Sequence, residues 1–515
     1  MYQLPRMTRM GRYLWVVGLV LALAVVPAQA DDTRPLFLET DASVERLDAG
    51  HDALLDFRLP AATRAFRALA ERPDGDIAAY HYLSLTALLK GLMADEPAHF
   101  DTFIARSDTL RQLLDDQPRS RWKRHLEAEQ HLKRAIARGK QERYIRAAWS
   151  ARSAFRAFES LVADEPDFAE PYLGMGLLHV AVASLPSTYQ SVLRVLGFSG
   201  QIDEGMEELA TAVEESRYNR EFAAVSRALV EILFNMRGPD GTEMLGRLHD
   251  ERPNSMLHAL LYGYALYENY RAEEAYRVVQ RAVEWPEEEY FYIDYLDFYM
   301  GETLFARRDY QKAATWYERY IDRHAGPALK DLAYYRLGLA REMQGHRSEA
   351  LRAYRQVDGR RDFDADQYAE RWAAQRINQT LDDRDRRLVE GEGALYWGAY
   401  DQAEVTLRGV FDDSQATEAQ RTHAAFLIGR AHHVQGNGAQ AFPAYRFAID
   451  HPADRRAMWA PWAQLYIGHL HEQRGRIDAA RTAYDRAADY RTPFDYYQSL
   501  EQYVRFARER LPQRE

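Results

Sequence analysis

Along most of the chain apolar residues return every three or four positions, the spacing that lines one face of an α-helix. No long stretch alternates apolar with polar residues as a half-buried strand would. The least polar part beyond the N-terminus is residues 176–209, GLLHVAVASLPSTYQSVLRVLGFSGQIDEGMEEL. Residues 172–184 carry apolar side chains on nearly every face, so they are expected to form a helix buried all round. Leu185-Pro186 ends that helix, because proline donates no backbone hydrogen bond and restricts the residue before it. A second helix is expected at about 188–196, with Gly197 as a left-handed cap and Phe198 folding back on the last turn. Ser199 then suits the cap of a third helix, on which Ile202, Met206, Leu209 and Val213 form one stripe. A bilayer span needs about 20 apolar residues, more than this run offers, so it reads as a buried hinge.

The apolar pattern repeats on a longer scale. Gly468, Gly475, Ala480, Tyr484 and Ala487 stand at the same offsets as Gly429, Gly436, Ala441, Tyr445 and Ala448. Gly338, Gly345, Ala350 and Tyr354 match both. Weaker copies begin at Gly263, Gly301 and Gly391. This looks like the tetratricopeptide pattern, in which small residues let two antiparallel helices approach closely and an aromatic fills the gap. A mid-helix glycine costs up to about 1 kcal/mol relative to alanine, so its recurrence at matched offsets implies a packing role. The leading glycines are 38, 37, 53, 38 and 39 residues apart, against the usual period of about 34. The long interval places some 15 extra residues around 358–387, as one added helix or a loop. Earlier units are degenerate: Gly50, Ala62, Phe66, Leu69 and Pro73 make one, and Ala154, Phe158, Leu161 and Pro166 another. The fold expected is all-α, an α-solenoid of tetratricopeptide-like helix pairs. It divides into degenerate repeats over 31–170, a central apolar segment over 171–255 and clearer repeats over 256–515.

Over residues 173–212 the order is distinctive: a glycine-rich apolar helix, Ser-Leu-Pro, Leu-Gly-Phe-Ser-Gly, then an acidic residue and Gly-Met before Glu-Glu-Leu. It resembles the tetratricopeptide repeat protein 39 family of animals and its fungal relatives, the inclusion body clearance proteins. That resemblance implies a helical-repeat adaptor without catalytic residues. The eukaryotic members act inside cells near lipid droplets and protein-quality-control machinery, whereas this chain opens with an export pattern.

Arg6, Arg9 and Arg12 precede an apolar core at 14–26, and Ala28-Gln29-Ala30 fits a cleavage site that would leave Asp31 as the new N-terminus. Residues 1–30 are therefore expected to be a signal peptide, and the mature chain periplasmic or secreted, with no stable membrane span after cleavage. The sequence contains no cysteine, which excludes a lipid-modified anchor, disulfides and thiolate chemistry. Losing the basic leader moves the net charge from −11 to about −14. That balance argues against nucleic acid as a partner, which calls for a basic footprint. One stretch runs against it: residues 119–146 hold ten Lys or Arg against Glu127, Glu129 and Glu142. In an exported protein such a run meets anionic lipid head groups or an acidic partner, or is a solvated helix face.

Phosphate-cradling, dinucleotide-binding and nucleophile-elbow motifs are absent from the sequence. His432-His433 and His469-x-His471-Glu472 come close in successive repeats but lack the spacing that puts two ligands on one helix face. No catalytic site, metal or cofactor is therefore expected. Binding residues follow from the repeat: groove positions lie six and three residues before each leading glycine, and one and four after it. Those slots supply Tyr264 and Tyr267; Tyr295, Phe298, Glu302 and Phe305; Tyr335 and Glu342; His423, Phe426, Arg430 and His433; and Trp462, His469 and Glu472. An aromatic groove with a few charges suits an extended peptide or an apolar ligand. The competing reading is that the rings pack against the next turn of a tightly curved superhelix. The function expected is a non-catalytic scaffold for a protein or peptide partner, with lipid or apolar small-molecule binding as the alternative.

Overall fold

The computed structural model describes residues 35–184, 200–235, 239–359, 364–490 and 493–512. Among them are twenty-four α-helices and no strand, so the chain is an all-α solenoid of helix pairs. The N-terminal pairs are α1 (Asp41–Leu55) with α2 (Leu59–Ala70), α3 (Asp76–Ala94) with α4 (Pro97–Asp115), and α5 (Arg121–Lys140) with α6 (Tyr144–Asp164). Next come α7 (Pro171–Ser184), α8 (Ile202–Glu215), α9 (Arg220–Val230) and α10 (Pro239–Glu251). Two pairs follow, α11 (Met256–Glu268) with α12 (Ala272–Ala282) and α13 (Tyr295–Ala306) with α14 (Tyr310–Arg323). Then come α15 (Lys330–Met343), α16 (Arg347–Tyr354) and α17 (Asp364–Asn378). The last helices are α18 (Asp383–Trp397), α19 (Tyr400–Phe411), α20 (Glu418–Val434), α21 (Gly438–Asp450), α22 (Trp459–Glu472), α23 (Ile477–Ala488) and α24 (Tyr497–Glu509). No helix among the described residues is long and apolar enough to cross a membrane.

The repeated glycines set how closely each pair packs. A Cβ on Gly301, Gly338, Gly429 or Gly468 would lie 2.3–2.7 Å from the ring of Tyr317, Tyr354, Tyr445 or Tyr484, each sixteen residues on. At Gly263 and Gly391 the partner at that offset is Val279 or Leu407, and at Gly50 it is Phe66. These tyrosines are fully buried, so each hydroxyl needs a partner, and the first helix of the same pair supplies it. Tyr317 Oη donates to Glu302 Oε1 at 2.6 Å, Tyr354 to Glu342 Oε2 at 2.8 Å and Tyr484 to Glu472 Oε2 at 2.6 Å. The fourth, Tyr445, pairs with His433 Nδ1 at 3.1 Å.

In the central segment α7 is buried over nearly its whole length, as its all-round apolarity requires. It meets α8 at a glycine–glycine crossing: a Cβ on Gly176 would lie 2.7 Å from Gly205 O, and one on Gly205 2.8 Å from Gly176 O. The helix expected at 188–196, Gly197, Phe198 and Ser199 lie outside the described residues, as do the signal peptide, Ala30 and Asp31. The N-cap of α8 is Gln201, with no side-chain cap. Its buried face is Gly205, Leu209 and Ala212, while Ile202, Met206 and Val213 are only partly covered. The extra residues of the long interval form a helix, α17.

The superhelix is wound tightly enough to touch itself. Ser255 Oγ donates to Leu55 O at 2.7 Å, and Arg252 reaches Asp52 at 3.0 Å and Asp56 at 3.4 Å, about 200 residues back. Further on, Tyr400 Oη donates to Tyr270 O at 3.1 Å. The inserted α17 ties the third contact: Arg371 pairs with Asp495 and, at 2.9 Å, with Asp454, and Asp364 accepts from the Ser499 N–H at 2.7 Å.

Candidate functional site

Because the turns close on one another, the inner faces of the first helices line one cavity of about 730 Å³ that is partly open to solvent. From α11 come Tyr264 and Tyr267, from α13 Tyr295 and Phe298, from α20 Phe426, Arg430 and His433, and from α22 Trp462 and His469. With Glu302 of α13 and His423 of α20, eleven of the expected groove residues thus share one lumen. Phe305 and Tyr335 lie outside its wall. Phe305 packs edge-on to Tyr310 at 5.1 Å under the Arg336 guanidinium, and Tyr335 is buried between Tyr354 and Tyr368.

The wall includes residues that the groove offsets pass over. Tyr299, Arg336 and Tyr466 all lie two residues before a leading glycine, one turn from the groove slot just after it. Glu392 stands one residue after Gly391, so the offset rule applied to that unit would have marked it. Tyr368 and Trp372 come from the inserted α17, which has no counterpart in the other repeats.

Beyond Glu268, Arg271, Asp366 and Asp495 in the same wall, two groups of charge stand against the rings of the lumen. Glu302 accepts from Tyr267 Oη at 2.6 Å and from Tyr317, and it pairs with Arg336 Nε at 3.0 Å. Beside them burial raises the Glu392 carboxyl, against the pull of Arg336 and with the push of Glu302. The second group centres on Arg430. Its guanidinium lies 4.0 Å from the Tyr466 ring centroid and 4.9 Å from that of Tyr270, and Nε donates to Tyr270 Oη at 3.1 Å. Arg430 makes no ion pair with a carboxylate among the described residues. Burial, then the charge of Arg430, pushes His433 down to about 2, and burial also holds His469 well below the usual imidazole range. Both rings are neutral near pH 7 and can donate and accept hydrogen bonds. The wall thus offers a cation without an ion pair among the described residues, held in a tyrosine box, with neutral imidazoles and stacked rings beside it.

The other histidines diverge from this site. His432 faces Glu404 at 3.4 Å, and His471 packs on Phe442 at 5.2 Å. Glu472 is taken up by Tyr484 and by Arg510 at 2.6 Å. The described residues contain one group with metal-ligand proximity, His179, Glu204 and Glu208, at the α7–α8 contact. There His179 Nδ1 lies 2.6 Å from Glu208 Oε2. Burial lowers His179, but the Glu208 hydrogen bond and the charges of Glu208 and Glu204 outweigh it and raise the group overall. That favours an imidazolium hydrogen-bonded to the Glu208 carboxylate.

No family model matches the chain, and no curated protein matches it. Among solved structures it is similar to yeast Tom70, at 12% identity over 91% of this chain and 95% of that one, with a TM-score of 0.28. Human IFIT1, solved as a dimer with PPP-AAAA, matches at 12% identity over 86% and 94%, with a TM-score of 0.30. The apo form of the quorum sensor NprR from B. thuringiensis matches at 12% over 80% and 99%, with a TM-score of 0.29. Scores this low say nothing about ligand or partner, so the functional reading rests on the lumen.

Proposed function

We propose that the chain is a non-catalytic helical-repeat scaffold, exported to the cell envelope, that holds a peptide segment of a protein partner in its superhelical lumen. Kinship with the tetratricopeptide repeat protein 39 family is part of this proposal and rests on the pattern over residues 173–212. The observation that carries the reading is Arg430, a lumen cation boxed by Tyr270 and Tyr466 that makes no ion pair among the described residues. An acidic group on the guest would complete it. A peptide suits the rest of the wall better than a hydrocarbon chain. Glu392 and Arg336 share the lumen with the rings, and an acyl chain would strip water from these charges without replacing its hydrogen bonds. A peptide offers donors, acceptors and side chains that stack on tyrosine and tryptophan. A small amphipathic anion is the second reading, favoured by the Arg430 guanidinium lying among aromatic rings.

A photo-crosslinking amino acid at Phe426, used in intact cells, tests this. The expected result is one dominant polypeptide adduct that disappears in Arg430→Gln. A charge-assisted hydrogen bond is worth about 1.5–3 kcal/mol, roughly 10- to 100-fold in affinity. Absence of any polypeptide adduct, with a lipid mass carried through gentle native mass spectrometry, would reject the peptide in favour of the second reading.

A further inference from the structure

The basic run at residues 119–146 does not form one continuous face. Lys133 is buried against Glu129 at 2.8 Å, Lys140 pairs with Asp95 at 2.7 Å, and Arg124 pairs with Asp164 at 2.7 Å. Apart from Arg119, exposed ahead of the far end of α5, what stays accessible gathers at the corner between α5 and α6. Arg143 and Arg146 are exposed there and make no ion pair among the described residues. Arg138 sits within their field, and burial together with Arg134, Arg146 and Arg143 lowers its pKa. Beside it Arg111, Arg134, Arg138 and His131 wall a pocket of about 310 Å³, with Asp115 and Glu127 at its edge. Asp108 answers Arg134 at 2.5 Å and lies 3.9 Å from Arg111, Glu142 lies in the turn itself, and Asp101 of α4 accepts from Gln141 Nε2 there at 3.1 Å.

Helix α6 continues this corner. Residues 143–158 contain four arginines and no acid, in a chain whose net charge is −11. Ile145, Trp149, Arg152 and Arg156 follow at helical spacing on one face. Ile145 is 73% exposed and Trp149 is 59% exposed. Large apolar side chains this exposed number three among the described residues, and two of them stand here, one turn apart. The Arg152 guanidinium lies 5.6 Å from the Trp149 ring.

We propose that this corner docks on an anionic lipid surface, with Trp149 and Ile145 entering the headgroup layer and Arg143, Arg146, Arg152 and Arg156 meeting lipid phosphates. Tryptophan and arginine are the side chains that settle at that depth, the ring half in hydrocarbon and the charge in the phosphate layer. Two apolar side chains are too few for a stable protein interface, which buries about 800 Å² per partner. A lipid surface needs no shape match and responds to local charge. The docking is independent of what fills the lumen.

Flotation of the full chain with vesicles decides the matter. Binding is expected to vesicles containing phosphatidylglycerol, to weaken with added salt, and to be near background on phosphatidylcholine alone. Each arginine contributes roughly fivefold near an anionic surface. Arg143→Gln/Arg146→Gln should therefore lose roughly 25-fold, and Ile145→Ser/Trp149→Ser at least about tenfold, with far-UV circular dichroism unchanged. Equal binding to both vesicle types, full binding by both variants, or capture of polyglutamate without capture of vesicles would each overturn the proposal.

Discussion

Replacing Gly468 with alanine probes the contact that recurs along the solenoid. A Cβ there would lie 2.3 Å from Tyr484 Cε1, 2.5 Å from Cδ1 and 3.0 Å from Cζ. The ring is fully buried and cannot swing aside freely, because its hydroxyl is held by Glu472, which Arg510 clamps at 2.6 and 2.8 Å. Overpacking of this kind costs about 1–3 kcal/mol, and losing a hydrogen bond to a carboxylate adds about 1.5–3 kcal/mol. The helix itself gains up to about 1 kcal/mol from glycine to alanine, so the net expectation is a loss of about 2–4 kcal/mol. Repeats unfold locally and couple to their neighbours, so the assay is hydrogen exchange resolved over α22 and α23. Exchange there should speed up roughly 30-fold or more, at a tenfold change per 1.4 kcal/mol, while α11–α14 keep their protection. Gly409→Ala is the control: nothing lies within 4 Å of its Cβ position, so it should stabilise α19 by up to about 1 kcal/mol. If Gly468→Ala protects α22 as well as the native glycine does, the close-approach account of the repeats is wrong.

Further outcomes follow from the buried charges. Burial pushes His125 down to about 4, against the pull of Glu129, so it folds neutral; its contribution is complete above pH 6.5 and is lost as pH falls from 6.5 toward 4. Denaturant midpoints should show about 2 kcal/mol lost by pH 5 on this account, a slope that His125→Gln reduces. Arg336→Met strands Glu302, which then faces Tyr267 and Tyr317 alone; urea titration should show a loss of about 3–5 kcal/mol. Arg371→Ala removes the tie of α17 to Asp454 and one of its two ties to Asp495, leaving Trp372 Nε1 on Asp495 at 3.1 Å, and exchange should accelerate across Asp364–Asn378 before the flanking repeats change.

Much of the architecture was legible because glycine leaves a mark in sequence. The sixteen-residue offset from Gly429 to Tyr445 and from Gly468 to Tyr484 is a packing distance written as a number. Gly263 and Gly391 were harder to read, since valine and leucine fill the same gap without an aromatic signal. The lumen was half legible. Offsets drawn from an open groove find Tyr267, Arg430 and His469, but curvature decides which further positions turn inward. Curvature in turn depends on contacts such as Ser255 with Leu55, which no local pattern reveals. The same curvature diverts Phe305 and Tyr335 into packing between repeats. Groove positions near the glycines also carry a second duty: Glu302, His433, Glu342 and Glu472 each partner a buried tyrosine hydroxyl. The inserted helix was visible as surplus length, but its role as a tie between turns lies in the pairing of Arg371 with Asp495, 124 residues apart.

Everything said about the lumen depends on the superhelix closing onto itself. The chain has no cysteine, so spin labels placed at Ala49→Cys and Glu251→Cys report one distance. Both sites are exposed, and they flank the contact of Arg252 with Asp52 and Asp56. Pulsed electron resonance should give a single short, narrow peak. A solenoid that stays open across the four helix pairs between the labels, at roughly 10 Å per stacked layer, would give a peak at roughly 40 Å or beyond, and the lumen would not exist.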